Sequence, residues 1–209
     1  MIRRISTLLF LLMLAITPGL FAQTAVGIYV SPDINRATSI LVGNKPVNNF
    51  GVTLGLSFQT SLSKRLSVLY GLQYAPRRVS FKGNFIFVDK GNAINITSIK
   101  SRQQFLEVPL QLRFALSGRG ARLTPYVQAG VVGHWRTSIR NEYSNDRGKQ
   151  FEGEPQPSQF ELSPEVGVGV AYRINDNLGL NVQPTLRMQL ENPTFISRIG
   201  LGTTLFFKF

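Results

Sequence analysis

Hydrophobic and polar positions alternate with period two along almost the whole chain after its first two dozen residues. Near the end, Ile199, Leu201, Thr203, Leu205, Phe207 and Phe209 fall on one face. Arg198, Gly200, Gly202, Thr204, Phe206 and Lys208 fall on the other. Just before it, Leu178, Leu180, Val182, Pro184, Leu186, Met188 and Leu190 alternate with Gly179, Asn181, Gln183, Thr185, Arg187, Gln189 and Glu191. Successive side chains of a strand point to opposite faces, so period two with one apolar face predicts a half-buried strand. The pattern recurs around Val26–Val30, Val52–Phe58, Leu66–Tyr74, Leu106–Phe114, Leu123–Trp135 and Leu162–Tyr172. This amounts to about eight strands of roughly ten residues or more, the length a tilted membrane strand requires. Helical periodicity is poor throughout.

The connections alternate in length. Ser61–Arg65, Ser117–Arg122 and Asn175–Asn177 read as tight turns. Ala37–Asn49, Phe81–Ser101 and Ser138–Gln159 read as long polar loops, and Asn192–Phe195 as a short one. Short turns at one end and long loops at the other are the pattern of an outer-membrane barrel, with the short turns in the periplasm. An even strand count then puts both ends of the barrel domain on the periplasmic side.

Composition agrees. The 209 residues suit one domain, and a charged fraction of only 16% argues against disorder. Fifteen Phe, 6 Tyr and 19 Gly are a strand-and-turn composition. The absence of cysteine excludes thiolate metal sites, a cysteine nucleophile, disulfides and a lipoprotein anchor. A single histidine excludes a multi-histidine metal site within one chain, and no other metal or cofactor motif appears. The first 22 residues have a basic start (Arg3, Arg4), an apolar run from Leu8 to Ile16 and a helix break at Pro18-Gly19 before Ala22. They predict a signal peptide over 1–22, cleaved after Ala22, and a barrel domain over 23–209. The net charge of +12 suggests an anionic partner. Export makes that partner a lipid or lipopolysaccharide rather than a nucleic acid.

Parity alone does not say which face points inward. A soluble barrel buries its apolar face, whereas a membrane barrel shows it to lipid. Three features favour the membrane arrangement. The polar face is rich in small residues (Gly27, Gly55, Gly71, Gly130, Gly167, Gly169, Gly200, Gly202), which suit a narrow barrel interior. Aromatics of the apolar face sit near strand ends: Phe58, Phe114, Tyr172, Phe207 and Phe209 at one end, Phe50, Tyr74, Trp135 and Phe160 at the other. Two such girdles are expected at the two membrane interfaces. The chain ends in Phe209, similar to the terminal aromatic that the assembly machinery reads in bacterial outer-membrane barrels. Six prolines conflict with the pattern. Pro32, Pro76, Pro109, Pro125, Pro164 and Pro184 fall within predicted strands, where each removes a ladder donor.

The stretch Phe105-Leu-Glu-Val-Pro-Leu-Gln-Leu-Arg113 resembles the "YLEIPLLLK"-type strand of the small outer-membrane barrels of Bacteroidetes known as PorT-like, and Thr124-Pro-Tyr-Val-Gln-Ala-Gly130 resembles their "PYVGAG"-type strand. The likeness covers nearly the whole chain after the leader. It implies an eight-stranded antiparallel up-and-down transmembrane barrel. One member of that family is implicated in type IX protein secretion, so a supporting role in secretion is an expectation from resemblance alone.

The candidate chemistry lies on the polar face. Glu107, Glu161, Glu165 and Glu191 share it with Arg113, Arg173, Arg187 and Arg198. Buried charges need partners, so these eight residues predict an ion-pair network that plugs the lumen. His134 also has lumen-facing parity. A lipid A-modifying site would need it beside a serine and a carboxylate, and a hydrogen-bonded interior histidine is the simpler expectation. A non-enzymatic barrel acting through the stretches 81–101 and 138–159, toward a protein partner or lipopolysaccharide, is therefore expected. A small-solute channel is the other alternative. Basic residues near the outer rim include Arg36, Lys82, Lys100, Arg136 and Arg198. Arg77, Arg78, Arg102 and Arg140 are the residues expected to contact lipopolysaccharide phosphates.

Overall fold

A computed structural model describes residues 24–39, 45–46, 48–89, 92–117, 121–145, 150–152, 158–191 and 194–208. Eight long strands carry the fold: β1 (Thr24–Ser39), β2 (Asn48–Ser61), β3 (Leu66–Asp89), β4 (Asn92–Ala115), β5 (Leu123–Asn145), β6 (Gln159–Arg173), β7 (Leu178–Glu191) and β8 (Thr194–Lys208). Each pairs antiparallel with its neighbour in sequence, and β1 closes the ring by pairing with β8 from Ala25↔Lys208 to Ser39↔Thr194. The leader expected over 1–22 lies outside the described residues.

The apolar face points outward. Leu54, Leu72, Leu110, Val127, Val166, Val168, Val182 and Leu201 are exposed, while Thr53, Ser57, Gln73, Gln111, Gln128 and Gln183 are buried inside. Water would penalise such a surface, and lipid would not. Of the aromatics, Phe50, Tyr74, Trp135 and Phe160 are exposed near one rim and Phe114 and Phe207 near the other, as interfacial girdles require. The inward glycines are a packing requirement. A side chain on Gly169 would meet the Tyr126 ring at 2.6 Å, and one on Gly202 would meet the Tyr29 ring at 3.0 Å. The interior is thus filled by tyrosine rings lying over residues without side chains.

The structure accounts for the prolines. Pro109 faces a gap in the β3–β4 ladder, which runs from Tyr70↔Leu110 to Gln73↔Glu107 with two pairs missing and no change of register. Pro184 faces a similar gap in β6–β7, between Gly167↔Thr185 and Val170↔Val182. Pro32 falls in the gap of β1–β8 between Val30↔Thr203 and Asp33↔Gly200. Pro76 lies beyond Leu54↔Tyr74, where β2–β3 pairing ends, and Pro164 just before Glu165↔Arg187, where β6–β7 pairing begins. Pro125, near the start of β5, still accepts a hydrogen bond from the Leu116 amide at 2.9 Å through its carbonyl. Pro32, Pro109 and Pro184 thus sit at a local interruption of one ladder and Pro76 and Pro164 at the end of one, with the register intact around them.

The tight turns at 61–65 and 175–177 are where periodicity places them, and the one expected at 117–122 lies partly outside the described residues; two of the expected long loops are largely strand where described. The stretch 81–101 is the upper part of a β3–β4 hairpin paired to Asp89↔Asn92, with a bulge between Lys82 and Phe85. Ser138–Asn145 continue β5 and pair with β4 up to Ile96↔Asn145. Gln150–Glu152 form a short strand against Glu142–Ser144, and Lys45–Pro46 another against Phe81 and Lys82. The polar composition that reads as loop reflects a sheet standing in water, which needs no lipid-facing side. At 24 residues each, β3 and β4 are far longer than the roughly 9–11 residues that cross a bilayer.

Candidate functional site: a charged lumen and an outer arginine row

The lumen is organised around Glu107. Its cross-strand neighbours are Gln73 on β3 and His134 on β5, all of inward parity. Its carboxylate accepts hydrogen bonds from Arg77 Nη2 and Arg187 Nη1, and from Arg198 Nη1 at 3.1 Å and Nη2 at 3.3 Å. Arg187 also bridges to Glu165, which accepts a further hydrogen bond from Gln111. Arg198 reaches Asp33 Oδ2 at 3.8 Å, and Asp33 is held by Asn35 at 2.8 Å and Thr53 at 3.1 Å. All these charged groups are buried. Three carboxylates (Asp33, Glu107, Glu165) face three guanidiniums (Arg77, Arg187, Arg198), so the cluster is electroneutral with His134 neutral. An eight-stranded interior is just wide enough to be filled by side chains, and this network fills it.

His134 is fully buried, with Nδ1 3.1 Å from both Glu107 Oε1 and Arg77 Nη2. Its Nδ1–H tautomer donates to the carboxylate and leaves Nε2 a buried acceptor without a partner. With that tautomer the contact to Arg77 Nη2 is between two donors, so among the described residues its hydrogen bond runs to Glu107, and no serine hydroxyl meets it.

The expected network residues separate. Glu107, Glu165, Arg187 and Arg198 meet in the cluster. Arg113 lies nearer the periplasmic end. It donates to Gln59 (3.1 Å), Gln128 (3.1 Å) and Gln183 (3.0 Å), and its guanidinium stacks 3.8 Å from the Tyr126 ring centre. Glu161 is half-buried opposite His134, and Arg173 is exposed at the end of β6. The Glu191 side chain lies outside the described residues. Two members were not expected: Asp33, and Arg77, which was assigned to lipopolysaccharide at the outer rim. Arg77 lies in the lumen with its guanidinium 4.2 Å over the Phe105 ring. Its parity with Gln73 is the signal that places it inside. Arg136 and Arg198, also read as rim residues, are buried.

The other three arginines of that set do share one surface. Arg78 pairs with Arg102, and Arg102 with Arg140, across β3, β4 and β5. All three are exposed on the outer face. Glu142 lies 3.3 Å from Arg102. The row stands above the aromatic row that runs through Tyr74, Leu106, Trp135 and Phe160.

The chain matches the family model of the outer membrane protein beta-barrel domain over residues 6–202. It belongs to that family. The protein is an outer-membrane β-barrel and resides in the bacterial outer membrane. Among solved structures it is similar to Neisserial surface protein A (14% identity, TM-score 0.49), covering 88% of this chain and 99% of that one. It is also similar to the attachment invasion locus protein Ail of Yersinia pestis (13%, TM-score 0.48, 88% and 98%). A third is OprG of Pseudomonas aeruginosa (14%, TM-score 0.45, 91% and 97%). No curated protein matches the chain.

Proposed function

We propose that this barrel is a non-enzymatic surface-interaction protein whose outer face binds lipopolysaccharide phosphates through Arg78, Arg102 and Arg140. The observation that carries this reading is the register Arg78↔Arg102↔Arg140 on exposed positions. Like charges directly opposite one another on neighbouring strands are destabilising, and Glu142 supplies only one nearby carboxylate. A polyanion lying across the row removes the repulsion, and the planar guanidinium suits phosphate. The row is also at a suitable height. Arg78 is four residues beyond Tyr74, about 13 Å along a strand and roughly 10 Å above the aromatic row after tilt. That is the level of lipid headgroups.

The plugged lumen supports a platform role rather than transport, and the hairpin of β3 and β4 supplies the surface presented to a protein partner. Resemblance to PorT-like barrels of Bacteroidetes extends this reading to support of protein secretion. The test is to substitute Arg78→Gln, Arg102→Gln and Arg140→Gln together and quantify lipopolysaccharide co-purifying with the folded barrel. Retention several-fold below the parent protein is expected, with Arg77 left in place because it holds the lumen. Unchanged retention contradicts the proposal.

A further inference from the structure

The charge balance of the outer lumen does not extend to its periplasmic end. There a cavity of about 380 Å³ opens between the tight turns. Among the described residues its walls include four cationic side chains, Arg65, Arg113, Arg173 and Lys208, and no carboxylate side chain. The buried carboxylates among the described residues, Asp33, Glu107 and Glu165, are all engaged in the outer cluster, by Arg77, Arg187 and Arg198. Arg113 is buried at 4% exposure, yet among the described residues its charge meets the amide oxygens of Gln59, Gln128 and Gln183 and the face of Tyr126, with no carboxylate beside it. Its Nε is buried without a hydrogen-bond partner. A guanidinium removed from water calls for a counter-charge, and neutral amides do not provide one. Around it the cavity wall carries apolar surface from Tyr126, Phe206 and several alanines.

We infer that this cavity is a periplasm-facing binding site for a small organic anion, one phosphate or carboxylate group on a compact apolar body. The anionic group pairs with Arg113, the rim cations Arg65 and Lys208 draw it in, and the apolar body packs beside Tyr126 and Phe206. The size of the cavity sets the scale of the ligand, since small-molecule sites begin near 300 Å³. The same anionic chemistry is available from a free solute and from a phospholipid headgroup of the inner leaflet. The opening between the turns favours the solute.

The experiment uses the full barrel in nanodiscs, titrated at fixed ionic strength with phenyl phosphate, benzoate and inorganic phosphate and followed by NMR. Saturable binding of phenyl phosphate or benzoate is expected, at least tenfold tighter than inorganic phosphate. Arg113→Met keeps the bulk of the side chain and should weaken binding at least tenfold. Arg65→Gln with Lys208→Gln changes only exposed rim residues. It should weaken binding about threefold or more even if the Arg113 variant does not fold. The exposed outer-rim substitution Arg36→Gln should leave binding of these probes unchanged. No saturable binding of either organic probe, or binding indifferent to the rim pair, overturns the inference. Affinity retained in phosphatidylglycerol discs relative to phosphatidylcholine supports a free solute. Affinity lost only in the anionic discs overturns that assignment in favour of a lipid headgroup.

Discussion

At the scale of single residues, Glu107 is the position on which the interior depends. It is fully buried and touched by three guanidiniums and one imidazole. Removing one partner of a buried ion pair leaves the other charge uncompensated, at a cost of about 3–5 kcal/mol. Glu107→Ala strands several cations at once. It should lower unfolding stability in detergent by at least that amount, read from a denaturant titration followed by circular dichroism. A change below ~1 kcal/mol would show that water or ions reach the cluster. The inward side of Glu107, Glu165, Arg187 and Arg198 was legible in the sequence, because strand parity assigns the face locally. Parity does not assign height along the axis. Arg77 shares parity with Gln73, but that it meets Glu107 thirty positions away depends on the β3–β4 register, which no local pattern encodes. Asp33 is hidden for the same reason, since its partner Arg198 comes from the far end of the chain.

At the scale of elements, the strands are set by alternation and punctuated by proline. Pro184 pairs normally with Leu201 on β8 while its other side faces the β6–β7 gap. Pro184→Val restores the missing donor on the outward face without adding bulk to the lumen. Stability should rise by about 0.5–1.5 kcal/mol, the net value of one hydrogen bond, in the same denaturant titration. Destabilisation would mean that the gap relieves curvature rather than merely tolerating proline. The sequence shows where the prolines are but not that Pro32, Pro109 and Pro184 face a ladder gap and Pro76 and Pro164 a ladder end, because that depends on which neighbour the missing N–H addresses. The extension of β3, β4 and β5 was equally hidden. Residues such as Ser98, Lys100 and Ser144 have loop composition, and only their pairing across three strands reveals a sheet. One exposed apolar residue on it, Ile86 at 76%, marks the surface that a protein partner would cover.

At the scale of the whole molecule, the barrel divides along its axis. Its outer half holds a neutral ion-pair cluster under an exposed arginine row, and its periplasmic half holds a cationic cavity. The apolar band between the aromatic girdles fixes the molecule in the bilayer and leaves both ends free to bind. The division follows from where the acids lie. Asp33, Glu107 and Glu165 are all drawn into one layer, so the basic excess of the barrel is expressed at the two ends. On the proposed function, a barrel closed in this way serves as a rigid mount rather than a passage. The most direct test is single-channel recording of the full barrel in planar bilayers. The plugged lumen predicts no stable conductance steps, with steps emerging in the Glu107→Ala protein as the cluster loosens. Steady ohmic conductance in the unaltered protein would show that the charged layer leaves an open path and would contradict the account.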